Sequence, residues 1–388
     1  MRITHVTTYV LKQPPEQAYL GTSAEAAEPP ADSGYFVRSP WRSLYSARME
    51  TLLVCVTTDG GVEGWGEALA PVGPEVTAAI IDRMLGPWLI GRDPRAVRPL
   101  WDGMRDLMRE RGHLVGHQAD ALAALDIALW DLLGRTTGLP VAQLLGGAYR
   151  TVIPAYVSGL GEPTDEGRAR LAADWAAKGA TAVKIAGGNG VEADLATYDA
   201  VAAAAPGLRI ALDAHWVYSL GEALALGQEL DRRRALFFEA PLAPEDTEGH
   251  RDLASRLAIP IAVGEAMRNR YEFRDWLSRR ALGLAQPDVA RTGITEATAI
   301  AAVADAHHVP VAFHHSVGLG VALAAGLHAS AAVADCPYFE FQPTVVPYAQ
   351  RILRHPITAG PTGFTLPDGP GLGIEVDRDA VHTFVKES

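Results

Sequence analysis

Two cysteines, Cys55 and Cys336, are all that the 388 residues contain. A single pair is no disulfide framework, and two buried thiols in a reducing cytoplasm are the expectation. Basic charge is not in excess either: 34 Lys and Arg stand against 46 Asp and Glu, a formal net charge of −12. That balance argues against a nucleic-acid surface, which needs a basic patch. No run of about 18 apolar residues occurs, so no membrane-spanning helix and no membrane partner are expected. The segment Met1 to Leu11 shows no apolar signal region followed by a small-residue cleavage site, which leaves a cytoplasmic location as the expectation. Charged residues make up only 21% against 48% hydrophobic, so a sizeable core can be buried and a globular chain is expected.

What is present is a change of pattern along the chain. Residues 1–11 alternate like a strand. Gln13 to Pro40 is a Pro-, Ala- and Glu-rich loop with two Pro-Pro pairs, long enough to be a lid or simply surface. Glu50 to Val56, the turn Asp59-Gly60-Gly61 and the strand after it read as a hairpin, and Pro74 to Leu133 reads as helical. A small α+β unit therefore comes first. After Gly146-Gly147, short β-rich runs alternate with Ala-rich helical stretches. The runs are 152–157, 182–186, 208–213, 236–239, 260–265, 284–288, 309–315 and 338–341. Eight strands in this alternation predict a closed α/β barrel rather than an open sheet.

Polar residues recur at the C-terminal ends of these strands: Lys184, Asp213, Glu239, Glu265, Asp288, His315 and Glu340, at intervals of 23 to 29 residues. In such a barrel all those ends meet at one mouth, where chemistry occurs. Asp213, Glu239 and Glu265 come from consecutive strands, and three hard oxygen donors without a nearby cysteine suit Mg²⁺. Without a cation they would raise one another's pKa. Asp288 and His315 fall on neighbouring strands, where an Asp can fix one imidazole nitrogen and make the other more basic. Alternation admits only one of His314 and His315 to the mouth. His315, which opens His-Ser-Val-Gly before a helix, is expected to be the inward one.

The residues resemble the enolase superfamily, of the mandelate racemase and muconate lactonizing enzyme type, in its acid-sugar dehydratase form. The marks are Gly64-Trp65-Gly66-Glu67, Ala124-Leu125-Asp126 through Trp130-Asp131, Pro140 to Gly147, Leu212-Asp213-Ala214-His215, Phe238-Glu239-Ala240-Pro241, Gly264-Glu265, Gln286-Pro287-Asp288 and Pro367-Asp368-Gly369-Pro370. The resemblance implies an α/β fold: a modified (β/α)7β TIM barrel with an α+β N-terminal capping domain. The expected division is 1–125 for the cap with its lid loop, 126–345 for the barrel and 346–388 for a segment returning to the cap. It implies Mg²⁺ on Asp213, Glu239 and Glu265, a lid from the Gln13–Pro40 loop, and a homo-oligomer. It also implies a small carboxylate substrate, an acid sugar or its lactone, that loses the proton α to its carboxylate. The metal stabilises the charge that then develops. Lys184 and Glu340 are placed to hold that carboxylate, the Glu as a donor if protonated.

One departure matters. Relatives often carry Lys-x-Lys at the second strand, the second lysine being a base; here the run is Val183-Lys184-Ile185-Ala186. Ungapped, Ala186 replaces the second lysine, although Lys184 fits the second place if a loop differs. A missing base on one face disfavours racemisation. Dehydration to a 2-keto-3-deoxy acid is the leading expectation. A sugar-lactone cycloisomerase, an epimerase or racemase, and an inactive metal-binding relative are the alternatives. His215 lies on the Asp213 side of its strand and is a candidate acid or hydroxyl contact. Arg42, Arg48 and Tyr19 are weaker candidates for a distal group.

Overall fold

In the computed structural model, residues 1–13, 34–38 and 40–386 are described. Most of the Gln13–Pro40 loop, Tyr19 included, lies outside these residues.

The first unit is built on three antiparallel strands. β1 (Ile3–Gln13) pairs with β4 (Met49–Thr58), which pairs in turn with β5 (Glu63–Ala68); β2 (Tyr35–Val37) and β3 (Leu44–Ser46) form a separate ribbon. β4 is the central strand and is buried along nearly its whole length. Helix His117–Thr137 covers the sheet. It is apolar almost all round, with every residue from Ala119 to Leu132 buried, which marks a core helix. The strand lies directly on it: a Cβ at Gly66 would stand 1.8 Å from the Ala124 carbonyl oxygen. The boundary drawn from sequence at 125/126 falls inside this helix, because one helix packs on both the cap sheet and the barrel.

The polar residues of the cap motifs are consumed at that junction. Asp126 accepts from the Thr295 amide at 2.8 Å and its hydroxyl at 2.6 Å. Asp131 accepts from the amides of Trp65 and Leu372, both at 2.9 Å. Glu67 accepts from the amides of Leu319 (2.6 Å) and Ala322 (2.8 Å), capping helix Gly320–Ala331 across the junction.

The barrel runs β6 (Val152–Ser158), β7 (Ala182–Ala186), β8 (Arg209–Asp213), β9 (Phe238–Glu239), β10 (Ile261–Val263), β11 (Leu284–Ala285) and β12 (Phe339–Phe341), parallel throughout, with β12 paired to β6. The expected strand at 309–315 is reduced to two bridges, Ala285 to Val311 and Asp288 to His314. β13 (Ala359–Gly360) and β14 (Gly363–Thr365) add an antiparallel hairpin to β6. The last helix, Arg378–Lys386, reaches back to the cap, where Phe384 O accepts from Gln13 Nε2 at 2.7 Å.

Two cores result. The larger lies between strands and helices and continues into the cap. The smaller fills the barrel: Tyr156, Ala182, Ala211, Leu236, Phe237, Ala262, Leu284 and Ala312. Small and large side chains mix in this plug, as a closed barrel requires. Both cysteines are buried and free. No helix among the described residues is long and apolar enough to cross a membrane.

Candidate active site

The plug sets the phase of the site. Side chains along a strand alternate, so the residue two positions beyond an inward plug residue also points inward, one layer nearer the mouth. Tyr156 leads to Ser158, Ala182 to Lys184, Ala211 to Asp213, Phe237 to Glu239, Leu284 to Gln286 and Ala312 to His314. β10 breaks the rule. Gly264 has φ +149°, and a Cβ there would meet the Gln286 backbone at 2.7 Å. The kink that only glycine accommodates turns Glu265, not residue 264, into the mouth.

Lys184 is the hub. Its Nζ lies 3.0 Å from both Glu239 oxygens, 3.0 Å from Glu340 Oε1 and 3.7 Å from Asp213 Oδ2. Burial pulls its pKa down, but Glu239 and Glu340 outweigh that and hold the ammonium well above its usual range. Burial, opposed by Lys184, leaves Asp213 at about 6 and Glu239 at about 7. Glu340 is also buried, yet Lys184 and His314 hold it down at about 2. It accepts from Ser158 Oγ at 2.5 Å. It is therefore a carboxylate here and not the donor that the sequence allowed.

The inward histidine is His314, a correction to the expectation for His315. His314 Nδ1 lies 2.7 Å from Asp288 Oδ2, while Nε2 lies 3.1 Å from Glu265 Oε2 and 3.8 Å from Glu340 Oε2. Burial opposes its charge, but Glu340, Asp288 and Glu265 raise its pKa well above the usual value. His315 points the other way. Its ring stacks on Phe339 (5.7 Å between centroids), its Nε2 is buried without a partner, and burial pushes it down to about 4. The signal was in the sequence: Ala312 fits the narrow plug and Phe313 fits the layer under the helices. Asp288 also caps helix Val289–Ala306 through Ala290 N (2.8 Å), which fixes its carboxylate.

His215 follows Asp213 with positive φ, 50°, as does Trp216, 63°. This strained turn lays the His215 ring flat on Trp41 of the cap, 3.7 Å between centroids and 10° between planes. Its Nδ1 is 3.2 Å from the Asp213 carbonyl oxygen, and burial pushes it down to about 4. Trp41 in turn donates from Nε1 to Gly187 O at 3.1 Å. Sequence reading missed this clamp, because nothing local to residue 41 marks it.

Asp213, Glu265, Lys184, His215, His314, Glu340 and Ala186 line one cavity of about 440 Å³. That suits a small-molecule substrate. Ala186 offers no base. Among the described residues no three acidic or imidazole groups are gathered into a coordinating cluster. Instead Asp213 and Glu239 face Lys184, and Glu265 accepts from Trp216 Nε1 at 2.9 Å and pairs with His314. The donor chemistry nevertheless fits Mg²⁺: three carboxylates from successive strand ends, two of them burdened by burial and neighbouring charge, as a divalent cation would relieve.

Known proteins bear on this geometry. Residues 40–146 match the family model for the mandelate racemase / muconate lactonizing enzyme N-terminal domain, and 167–380 the enolase C-terminal domain-like model. The chain is 35% identical to D-galactarolactone cycloisomerase of Agrobacterium fabrum, over 99% of both chains. It is 31% identical to arabinonate dehydratase of Saccharolobus solfataricus, over 86% of this chain and 90% of that one. A solved enolase superfamily structure from Agrobacterium tumefaciens superposes with a TM-score of 0.93 at 36% identity, covering 98% of each chain.

Proposed function

Because the chain belongs to the mandelate racemase / muconate lactonizing enzyme family of the enolase superfamily, we propose that it opens an acid-sugar lactone to a keto acid, an isomerisation. The carrying observation is the one-sided base: His314 backed by Asp288, with Ala186 in place of a second base. In its neutral form, His314 takes the proton α to the free carboxylate at Nε2. Asp288 holds Nδ1 and stabilises the imidazolium that forms. Lys184 stays charged, so it holds substrate charge rather than accepting a proton. Glu340 anchors Lys184 and His314. Asp213, Glu239 and Glu265 would hold Mg²⁺, which when bound stabilises negative charge on the substrate carboxylate and neutralises the acidic mouth.

The leaving group decides between lactone opening and dehydration. A lactone expels a carboxylate, a stable anion that needs no acid. Dehydration expels hydroxide, which must be protonated as it leaves. His215 is clamped on Trp41 and held neutral, a poor acid but a good contact for a substrate hydroxyl. The lactone reading is further supported by the end-to-end similarity to a cycloisomerase. Dehydration of an acid sugar, the expectation from sequence, is the second reading, favoured by the similarity to a dehydratase.

The test is proton NMR in D₂O of the Mg²⁺-loaded enzyme with acid sugars and their lactones. A 3-deoxy-2-keto acid from the lactone with unchanged mass supports the isomerase. The same product from the open acid with loss of water moves the assignment to a hydro-lyase. No α-proton exchange with any substrate, Mg²⁺ being bound, removes both.

A further inference from the structure

Arg291 lines the cavity and has no part in the proton transfer. Arg291 sits in the first turn of helix Val289–Ala306, its amide donating to Asp288 O at 3.1 Å, and it lines the same cavity as His314 and Lys184. Its Nε is buried and has no hydrogen-bond partner. Asp120, Asp288 and Glu265 are near enough to act on its charge, but each is already engaged. Asp120 accepts from Arg268 Nε at 2.9 Å, Asp288 holds His314, and Glu265 holds His314 and Trp216. Arg268 is satisfied by Asp120 and by Ala266 O at 2.6 Å, and its charge repels Arg291. A partly buried guanidinium without an anion is unfavourable unless a ligand supplies one. From the cap, exposed Arg48 lines the same cavity.

An aldonic acid has one carboxylate, which the Lys184 side of the mouth takes. A second cation then has no counterpart. The lactone of a sugar diacid differs. When His314 removes the proton α to the free carboxylate, the β C–O bond of the ring breaks and its electron pair leaves on the ring oxygen. That oxygen becomes part of a new carboxylate. The enol then becomes a ketone as the β-carbon gains a proton. No water enters or leaves, and one proton is released as the second carboxylate appears.

We propose that Arg291 is the residue that binds this end of the substrate, first as the lactone carbonyl and then as the second carboxylate. The proposal rests on the lactone-opening reading for its catalytic part. Helix Val289–Ala306 carries both Arg291 and Asp288, so the anion site and the base keep a fixed relation.

The test uses Mg²⁺-loaded wild type, Arg291→Met and Arg291→Lys, with folding checked by circular dichroism. Calorimetric titration compares D-galactarate, a dicarboxylate, with D-galactonate, a monocarboxylate. Wild type should bind the diacid about tenfold or more tighter, as one charge-assisted pair predicts. Arg291→Met should erase the difference and leave D-galactonate binding unchanged, with Arg291→Lys between. With D-galactaro-1,4-lactone, Arg291→Met should slow ring opening about 100-fold while α-proton exchange persists. Equal affinity of wild type for both ligands overturns the proposal. So does an Arg291→Met protein that keeps the discrimination, or that loses both ligands equally. If wild type discriminates but opens no lactone, the anion site stands and the lactone-opening reading falls.

Discussion

His314 Nδ1 lies 2.7 Å from Asp288 Oδ2, and the next residue, His315, turns its ring away to stack on Phe339. Two adjacent imidazoles thus have opposite fates. His314→Asn should cut α-proton exchange by about 100- to 10,000-fold, the usual worth of a positioned base. His315→Asn places an amide where the imidazole packs, and should lower stability by about 1–3 kcal/mol while turnover stays near wild type. Exchange measured by NMR beside thermal melts separates the two. The reverse pattern would return the base to His315.

Asp288→Asn keeps a good N-cap for its helix but removes one of the negative charges that raise His314. A base acts when deprotonated, so activity rises with pH through its pKa. With that pKa lowered, the acidic limb of kcat/KM should move to lower pH, and kcat should fall because the imidazolium loses its support. A limb that stays in place would show that Asp288 does not act through His314.

The barrel and the site's cast were legible because both rest on periodicity. Strand–helix alternation and charged residues at regular strand ends survive in a bare sequence. Which of two adjacent histidines faces inward depends on phase, and phase was readable only through Ala312 and its neighbours. The Trp41–His215 stack and the unpaired Arg291 were not legible. Each depends on where one element stops relative to a distant one, and no local pattern encodes that. The carboxylates of the Asp126 and Asp131 motif are bound away from the mouth: Asp126 accepts from Thr295, and Asp131 from the amides of Trp65 and Leu372.

Asp126 gives a stability prediction with a definite sign. Burial raises its pKa from 3.8 to about 7 in the fold. The folded state therefore binds this proton more tightly than the unfolded chain. The resulting stabilisation is complete below pH 3.8 and is lost as pH rises toward about 7. Its slope is at most about 1.4 kcal/mol per pH unit. Asp126→Asn has no such proton, so wild type minus variant stability, from urea melts across this range, should decline with pH. A flat difference would refute the assignment.

Gly264→Ala should couple stability to metal binding. The added Cβ would meet the Gln286 backbone, and φ +149° is foreign to alanine. The cost should be about 1–3 kcal/mol. Because the kink aims Glu265, Mg²⁺ affinity by calorimetry should fall as well. Loss of stability with unchanged Mg²⁺ affinity would separate Glu265 from the metal.

Alanine at position 186 gives the sharpest chemical prediction. Ala186 ends β7, pairs in register with Asp213 and lines the cavity. If His314 alone removes and returns the α-proton, deuterium enters wild-type substrate from one face and the substrate keeps its configuration. Ala186→Lys puts an amine beside the cationic Lys184, and a neighbouring like charge lowers its pKa toward that of a usable base. General-base catalysis supplies about 10²–10⁴ in rate. Even a poorly aligned lysine should then make the α-epimer appear, with slower net ring opening. Chiral chromatography of recovered substrate reads the epimer directly. Epimer from wild type would show that a second base acts there already. Its absence from a variant that still exchanges its α-proton would show that residue 186 does not face the opposite side of that carbon.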